Sequence, residues 1–141
     1  MNNNYRDILI YLATPYSHVE PVIEEIREKL VTLVTKKLEQ AGISVFSPIT
    51  HSARLCQDGG FSGSYNTWKK TDRMYVERLD EVWVLLTPGY TESEGVQDEI
   101  AHARRHNKPV RYVSYDIVKN RIVVKDTQRK HILDHEELLV L

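Results

Sequence analysis

One cysteine, no surplus of either charge and no long apolar run together bar this chain from several classes of protein. Cys56 stands alone among 141 residues, so no intramolecular disulfide can form and no thiolate zinc site can be assembled. The 19 basic residues are balanced by 20 acidic ones, which leaves no electrostatic case for nucleic acid or an acidic membrane surface as partner. The basic residues near the C-terminus (Lys119, Arg121, Lys125, Arg129, Lys130) are interrupted by acids and apolar residues and read as a solvated face. No stretch approaches the ~20 apolar residues of a membrane span, and the apolar segment of a signal peptide is lacking. A soluble, cytoplasmic protein is expected, with residues 1–141 as a single domain large enough for a real core. No internal repeat or low-complexity tract appears.

What is present is an alternation of strand and helix signals. Ile8 to Ala13 is a short apolar run without polar alternation, as in a strand covered on both faces. Ser17 with Glu20 forms a capping-box signature, Pro21 suits a first helical turn, and Val22, Ile26, Leu30, Leu33 and Leu38 keep helical spacing up to Gly42. Ile43 to Phe46 reads as a second strand, ended by Ser47-Pro48. Ile49 to Asn66, with Gly59, Gly60 and Gly63, reads as a long loop of the kind that often carries function. A helix over Trp68–Leu79, a strand over Val82–Leu86, a helix over Thr91–His106 and a strand over Pro109–Val113 follow. Lys119-Asn120 can turn a hairpin into Arg121–Lys125, while His131–Leu141 fits either a helix or a strand. The expectation is an α/β fold: a single-domain, Rossmann- or flavodoxin-like parallel sheet with helices on both faces.

In open sheets of this kind, ligands bind beyond the carboxyl ends of the strands. Two strand ends carry similar punctuation, Thr14-Pro15-Tyr16-Ser17 and Thr87-Pro88-Gly89, and suggest two lips of one cleft. Tyr16, Ser17, His51, Ser52, Trp68 and Tyr90 fall on loops at that end, where aromatic and hydroxyl groups suit a planar base and a sugar but equally suit packing lids. Thr91 and Glu94 form a further capping box, and the amides of Ser93, Gly95 and Val96 offer an anion or hydroxyl site. The acids Glu92 and Glu94 oppose a phosphate there.

On a helical wheel with Val96 at zero, Ile100 falls at about +40°, Ala103 at about −20° and Glu99 at about −60°. Glu99 therefore borders the apolar stripe, where a half-sheltered carboxylate can serve as nucleophile or base, or simply pair with a nearby His or Arg. Glu99, His102 and His106 lie within about 60° of one another, which resembles half of a carboxylate-bridged metal site. No second copy and no HExxH occurs, so no metal is expected. Tyr11 is either aimed at the cleft floor or a core tyrosine, and Asp72 is either a cleft acid or a partner of its helix dipole.

The segments Leu12–His18 (LATPYSH), Val45–Ser52 (VFSPITHS) and Pro88–Ala103 (PGYTESEGVQDEIAHA) resemble the nucleoside 2-deoxyribosyltransferase and deoxynucleotide N-hydrolase superfamily. The likeness is greatest to a small phage and bacterial branch and runs from about Ile8 to Val113. It implies Glu99 as nucleophile, Tyr11 as its hydrogen-bond donor and Asp72 as the acid that assists the leaving base. It also implies substrate contacts from Thr14, Pro15, Tyr16, Ser17, His51, Gly89, Ser93 and Gly95. Ser93 matches a position that is Ser in the nucleotide hydrolases. The implied activity is cleavage or transfer of the N-glycosidic bond of a (deoxy)nucleoside or nucleoside 5′-monophosphate through a covalent glycosyl-Glu intermediate. Neither metal nor organic cofactor is required, and assembly into a homo-oligomer is implied. The competing readings are a non-catalytic nucleotide-binding or sequestering protein on the same fold, and hydrolysis of NAD-like dinucleotides.

Overall fold

The computed structural model describes residues 5–57, 65–126 and 130–133. The elements are β1 (Leu9–Ala13), α1 (Pro21–Gln40), β2 (Ser44–Phe46), α2 (Pro48–Cys56), α3 (Tyr65–Arg78), β3 (Glu81–Leu85), α4 (Glu94–Arg105), β4 (Val110–Asp116), β5 (Arg121–Lys125) and β6 (Lys130–Leu133). They form one six-stranded sheet in the order β2-β1-β3-β4-β5-β6. The four strands from β2 to β4 pair in parallel, and β5 and β6 extend the sheet antiparallel. The sheet is thus mixed rather than purely parallel. The extension begins at the hairpin expected around Lys119-Asn120, where Asn120 takes φ +48°. The C-terminal segment left open between helix and strand contributes strand β6; residues 134–141 lie outside the described residues.

Alternation along the buried strands divides the interior into two cores. Ile10 and Leu12 of β1 and Trp83 and Leu85 of β3 face Val31, Val34 and Leu38 of α1. Tyr11, Ala13, Val82 and Val84 face the opposite way, against Val76 of α3 and Val96, Ile100 and Ala103 of α4. Helices therefore cover both faces, and the period of two along each strand decides which side chains meet which helix. The chain leaves β1 toward β2 on one side and returns to β3 on the other. The strand order thus reverses between β1 and β3, and the carboxyl ends of these two strands splay apart around a crevice. Among the described residues no helix is long and apolar enough to cross a membrane.

Three local expectations are corrected. The start of the supposed loop, Pro48 to Cys56, is a helix: the Ser47 hydroxyl accepts the Thr50 amide at 3.2 Å, and Pro48 supplies the fixed φ of a first turn. Residues 58–64 lie outside the described residues. Helix α1 starts at Pro21 with Glu20 as N-cap and no side-chain cap, so the Ser17–Glu20 box does not form. Helix α4 starts at Glu94 with Ser93 as N-cap, while the Thr91 hydroxyl donates to Glu92 instead of capping. The stop at Gly42 holds, with φ +82°.

Candidate active site

A cavity of about 640 Å³ opens at the β1/β3 crevice, the size expected of a small-molecule site. Thr14 and the Tyr16–Ser17 loop after β1 form one lip, and Gly89 and the start of α4 form the other. Helix α2 contributes Ile49, Ser52 and Cys56, and α3 contributes Trp68 and Asp72. Glu99, one turn and a half into α4, lies at the floor and is only 4% exposed. From beneath, the Tyr11 hydroxyl donates a hydrogen bond to Glu99 Oε2. Tyr11 itself is completely buried within β1, so a rigid strand aims the donor at the carboxylate.

Asp72 and Glu99 are two largely desolvated acids in one cavity, at 6% and 4% exposure. Burial raises the Asp72 carboxyl from 3.8 to about 7, partly offset by a hydrogen bond with Tyr11. Burial also drives the Glu99 carboxyl well above its ordinary range; the Tyr11 hydrogen bond opposes this, and the negative charges of Asp72 and Asp98 add to it. The two groups therefore titrate as a coupled pair above the ordinary carboxylate range, with a form that carries a single proton between them. Helices α3 and α4 are held in register by Arg73, whose Nε and Nη2 reach Asp98 at 3.0 and 2.5 Å. That clamp lies next to both acids in sequence and fixes their relative position.

The two lips are tied together by Arg27 of α1. Its Nη1 donates to the carbonyls of Tyr16 (3.2 Å) and Ser17 (3.0 Å), and its Nη2 to that of Pro88 (3.3 Å). Gly89 sits at φ +97°, and a Cβ there would stand 2.5 Å from Arg27 Nη2, so both backbone conformation and close approach call for glycine. Sequence reasoning passed over Arg27 because an arginine on the polar face of a helix looks like any solvated residue. Cys56, Ile49 and Trp68 line the cavity from segments that were read as a loop or its border.

Of the residues singled out in the sequence, Thr14, Tyr16, Ser17, Gly89, Ser93, Gly95, Asp72 and Glu99 line the cavity, and Tyr11 stands behind Glu99. Pro15 and His51 do not line it. His51 instead packs on Phe46, with ring centroids 5.6 Å apart, and meets the Trp68 ring edge-on at 6.4 Å, so it buttresses the cavity wall. The Thr14 hydroxyl is buried and has no hydrogen-bond partner among the described residues, which makes it an available group at the rim of β1. Two of the three amides expected to be open at the α4 start are engaged: the Ser93 N–H donates to the Gly89 carbonyl and the Val96 N–H to the Ser93 hydroxyl. The half-site of Glu99, His102 and His106 does not form, because Glu99 turns to Tyr11 while His102 meets Glu77 of α3 at 2.7 Å.

The chain is similar to the solved structure of a 2-deoxyribosyltransferase from the psychrotolerant bacterium Bacillus psychrosaccharolyticus. The two are 25% identical and superpose with a TM-score of 0.54, over 75% of this chain and 72% of that one. No curated protein sequence matches. A family model described as a domain of unknown function, DUF1937, matches residues 8–115, a span that runs from β1 to all but the last residue of β4 and holds the acid pair and its tyrosine. The chain belongs to the DUF1937 family.

Proposed function

We propose that this protein cleaves or transfers the N-glycosidic bond of a (deoxy)nucleoside, with Glu99 as nucleophile. The observation that carries the proposal is the buried pair of acids at the cavity floor, one of them held by Tyr11 from a rigid strand. The likeness to a 2-deoxyribosyltransferase supports it at the level of the fold and of glycosyl transfer.

The reactive form of the singly protonated pair carries its charge on Glu99, which accepts the Tyr11 hydrogen bond, and its proton on Asp72. A Glu99 oxygen attacks C1′ of the sugar as the bond from C1′ to the base nitrogen breaks. The bonding electrons leave with the base, and the Asp72 proton neutralises them. The product is a glycosyl ester on Glu99. Water or a second base then attacks C1′, the ester bond returns its electrons to Glu99, and Asp72 recovers a proton from the incoming nucleophile. Two displacements at one carbon retain the anomeric configuration. An oxocarbenium-like transition state explains why a carboxylate, rather than a serine or cysteine, occupies the floor. The residues of the site supply both acid and nucleophile, so the proposed steps run on this chain's own side chains.

The charges lining the cavity favour a nucleoside over its 5′-monophosphate. Glu92 and Glu94 flank Ser93 at the α4 start, two of the nearby amides are engaged, and the Arg27 guanidinium is committed to three carbonyls. A dianion placed there would meet like charge with little compensation.

The test is incubation with deoxynucleosides and with their 5′-monophosphates, with and without a second free base, followed by chromatography of bases and nucleosides. Release of base, or formation of the exchanged nucleoside, from the uncharged substrate and its loss in Glu99→Ala is the expected result. Equal release by wild type and Glu99→Ala would overturn the assignment. Tight binding of intact nucleoside without any turnover would replace the enzyme by a sequestering protein.

A further inference from the structure

At the far ends of α3 and α4, away from the cavity, stands a second cluster of titratable groups that the proposed chemistry does not use. Ligand-forming atoms of Glu77, His102 and His106 all lie within 4.8 Å of one another. None of the three lines the cavity. We propose that they bind a divalent transition-metal ion of the zinc class, which staples α3 to α4. This inference is independent of the glycosidase reading.

The donor set is two imidazoles and one carboxylate, which suits zinc and its neighbours and not the all-oxygen preferences of calcium or magnesium. The tautomer of His106 leaves one ring nitrogen able to ligate. Its Nδ1 lies 3.0 Å from the His102 carbonyl oxygen; a carbonyl only accepts, so Nδ1 carries the proton and Nε2 keeps a lone pair for a metal. His102 Nε2 stands 2.7 Å from Glu77 Oε2. Tetrahedral donors at roughly 2.1 Å from zinc stand about 3.4 Å apart, so this pair must open by well under 1 Å while His106 closes in. The outer residues can make that adjustment, because Glu77 and His106 are exposed and His102 is buried.

One further feature favours a cation at this place. Glu77 is the penultimate residue of α3, and His106 is the C-cap of α4, so two helix carboxyl ends converge on the cluster with their partial negative charge. One adjustment is required. Arg105 Nη2 stands 3.2 Å from His102 Nδ1, so on metal binding the proton moves to Nδ1 and the exposed Arg105 side chain swings away. The staple would repeat, one turn further along both helices, the tie that Arg73 and Asp98 make. It would thus reinforce the spacing between the helix of Asp72 and the helix of Glu99.

The experiment strips the full chain with chelator and then titrates it with Zn(II) in competition with a chromophoric chelator. Co(II) is used in parallel to read coordination from its visible absorption. Wild type should take up one ion per chain, show the intense bands of a tetrahedral Co(II) site, and gain thermal stability with Zn(II). Glu77→Gln and His106→Ala change exposed residues and should fold normally by circular dichroism. Each should weaken binding by at least the ~100-fold that loss of a ligand's own hydrogen-bond partner can cost. His51→Ala, remote in sequence from the cluster, should bind as wild type does. Absence of uptake by wild type, or unchanged affinity in both Glu77→Gln and His106→Ala, would overturn the proposal and leave His102–Glu77 as a simple hydrogen-bonded pair.

Discussion

Replacing Asp72 by asparagine should make the protein more stable, and increasingly so as pH rises. The Asp72 carboxyl titrates at about 7 in the folded chain against 3.8 for an ordinary aspartate. A carboxyl whose folded value is raised favours folding below the unfolded value and loses that advantage as pH climbs toward the folded one, because the folded state binds the proton more tightly. Over the roughly three-unit window, at about 1.4 kcal/mol per unit, the wild type forfeits about 4 kcal/mol. Some 1.5 kcal/mol of this is already lost at pH 5, and the remainder disappears by about pH 8.5. Asparagine keeps the shape and never ionises, so the advantage of Asp72→Asn should grow by about 3 kcal/mol between those two pH values. Removing the charge also relieves Glu99, whose carboxyl Asp72 pushes upward, and this acts in the same direction. Urea denaturation at pH 5 and pH 8.5 reads the effect as a midpoint difference that widens on the order of 1–2 M. A difference between the two proteins that does not change with pH would refute the buried-acid reasoning. The same variant should lose glycosidic activity by about 10²–10⁴-fold, since it cannot protonate the leaving base.

The activity profile follows from the same pair. At low pH both acids are protonated and no nucleophile exists; loss of one proton from the pair permits the active form, and loss of the second removes the acid. kcat/KM should therefore describe a bell with both limbs displaced above the ordinary carboxylate range, and Tyr11→Phe should move both limbs to higher pH, because the hydrogen bonds with Tyr11 lower both carboxyls. A rising limb near pH 4 would contradict this. Gly89→Ala should cost about 1–3 kcal/mol, combining a left-handed backbone with the Arg27 contact. Its KM should rise as the Arg27 tie between the lips is displaced, read by urea denaturation and steady-state kinetics; an unchanged KM would separate Arg27 from cleft geometry.

Much of the architecture is legible because apolar runs such as Ile8–Ala13 and Val82–Leu86 are short and have no polar alternation, as in strands covered on both faces. The hairpin and the Gly42 stop were equally readable, being local turn chemistry. Helix α2 is hidden in the sequence because Ser47-Pro48 also reads as the end of β2, when the same two residues cap and start a helix. The start of α4 was misplaced by three residues because two hydroxyls, Thr91 and Ser93, can both serve as caps, and only the fold selects Ser93. Glu99 was placed beside the apolar stripe by angle alone, yet it is buried, because α3 packs along that flank of α4 and covers it. The same packing supplies Glu77 to His102, a contact across 25 residues that no spacing within α4 could reveal.

The central claim is a transient bond between a sugar carbon and the Glu99 carboxylate. Mass spectrometry of protein quenched in acid during turnover of a deoxynucleoside, followed by peptide mapping, tests it directly. The account predicts an added deoxyribosyl mass on the peptide that contains Glu99, absent in Glu99→Ala. Base release at full rate with no adduct, or an adduct carried by another residue, would contradict it.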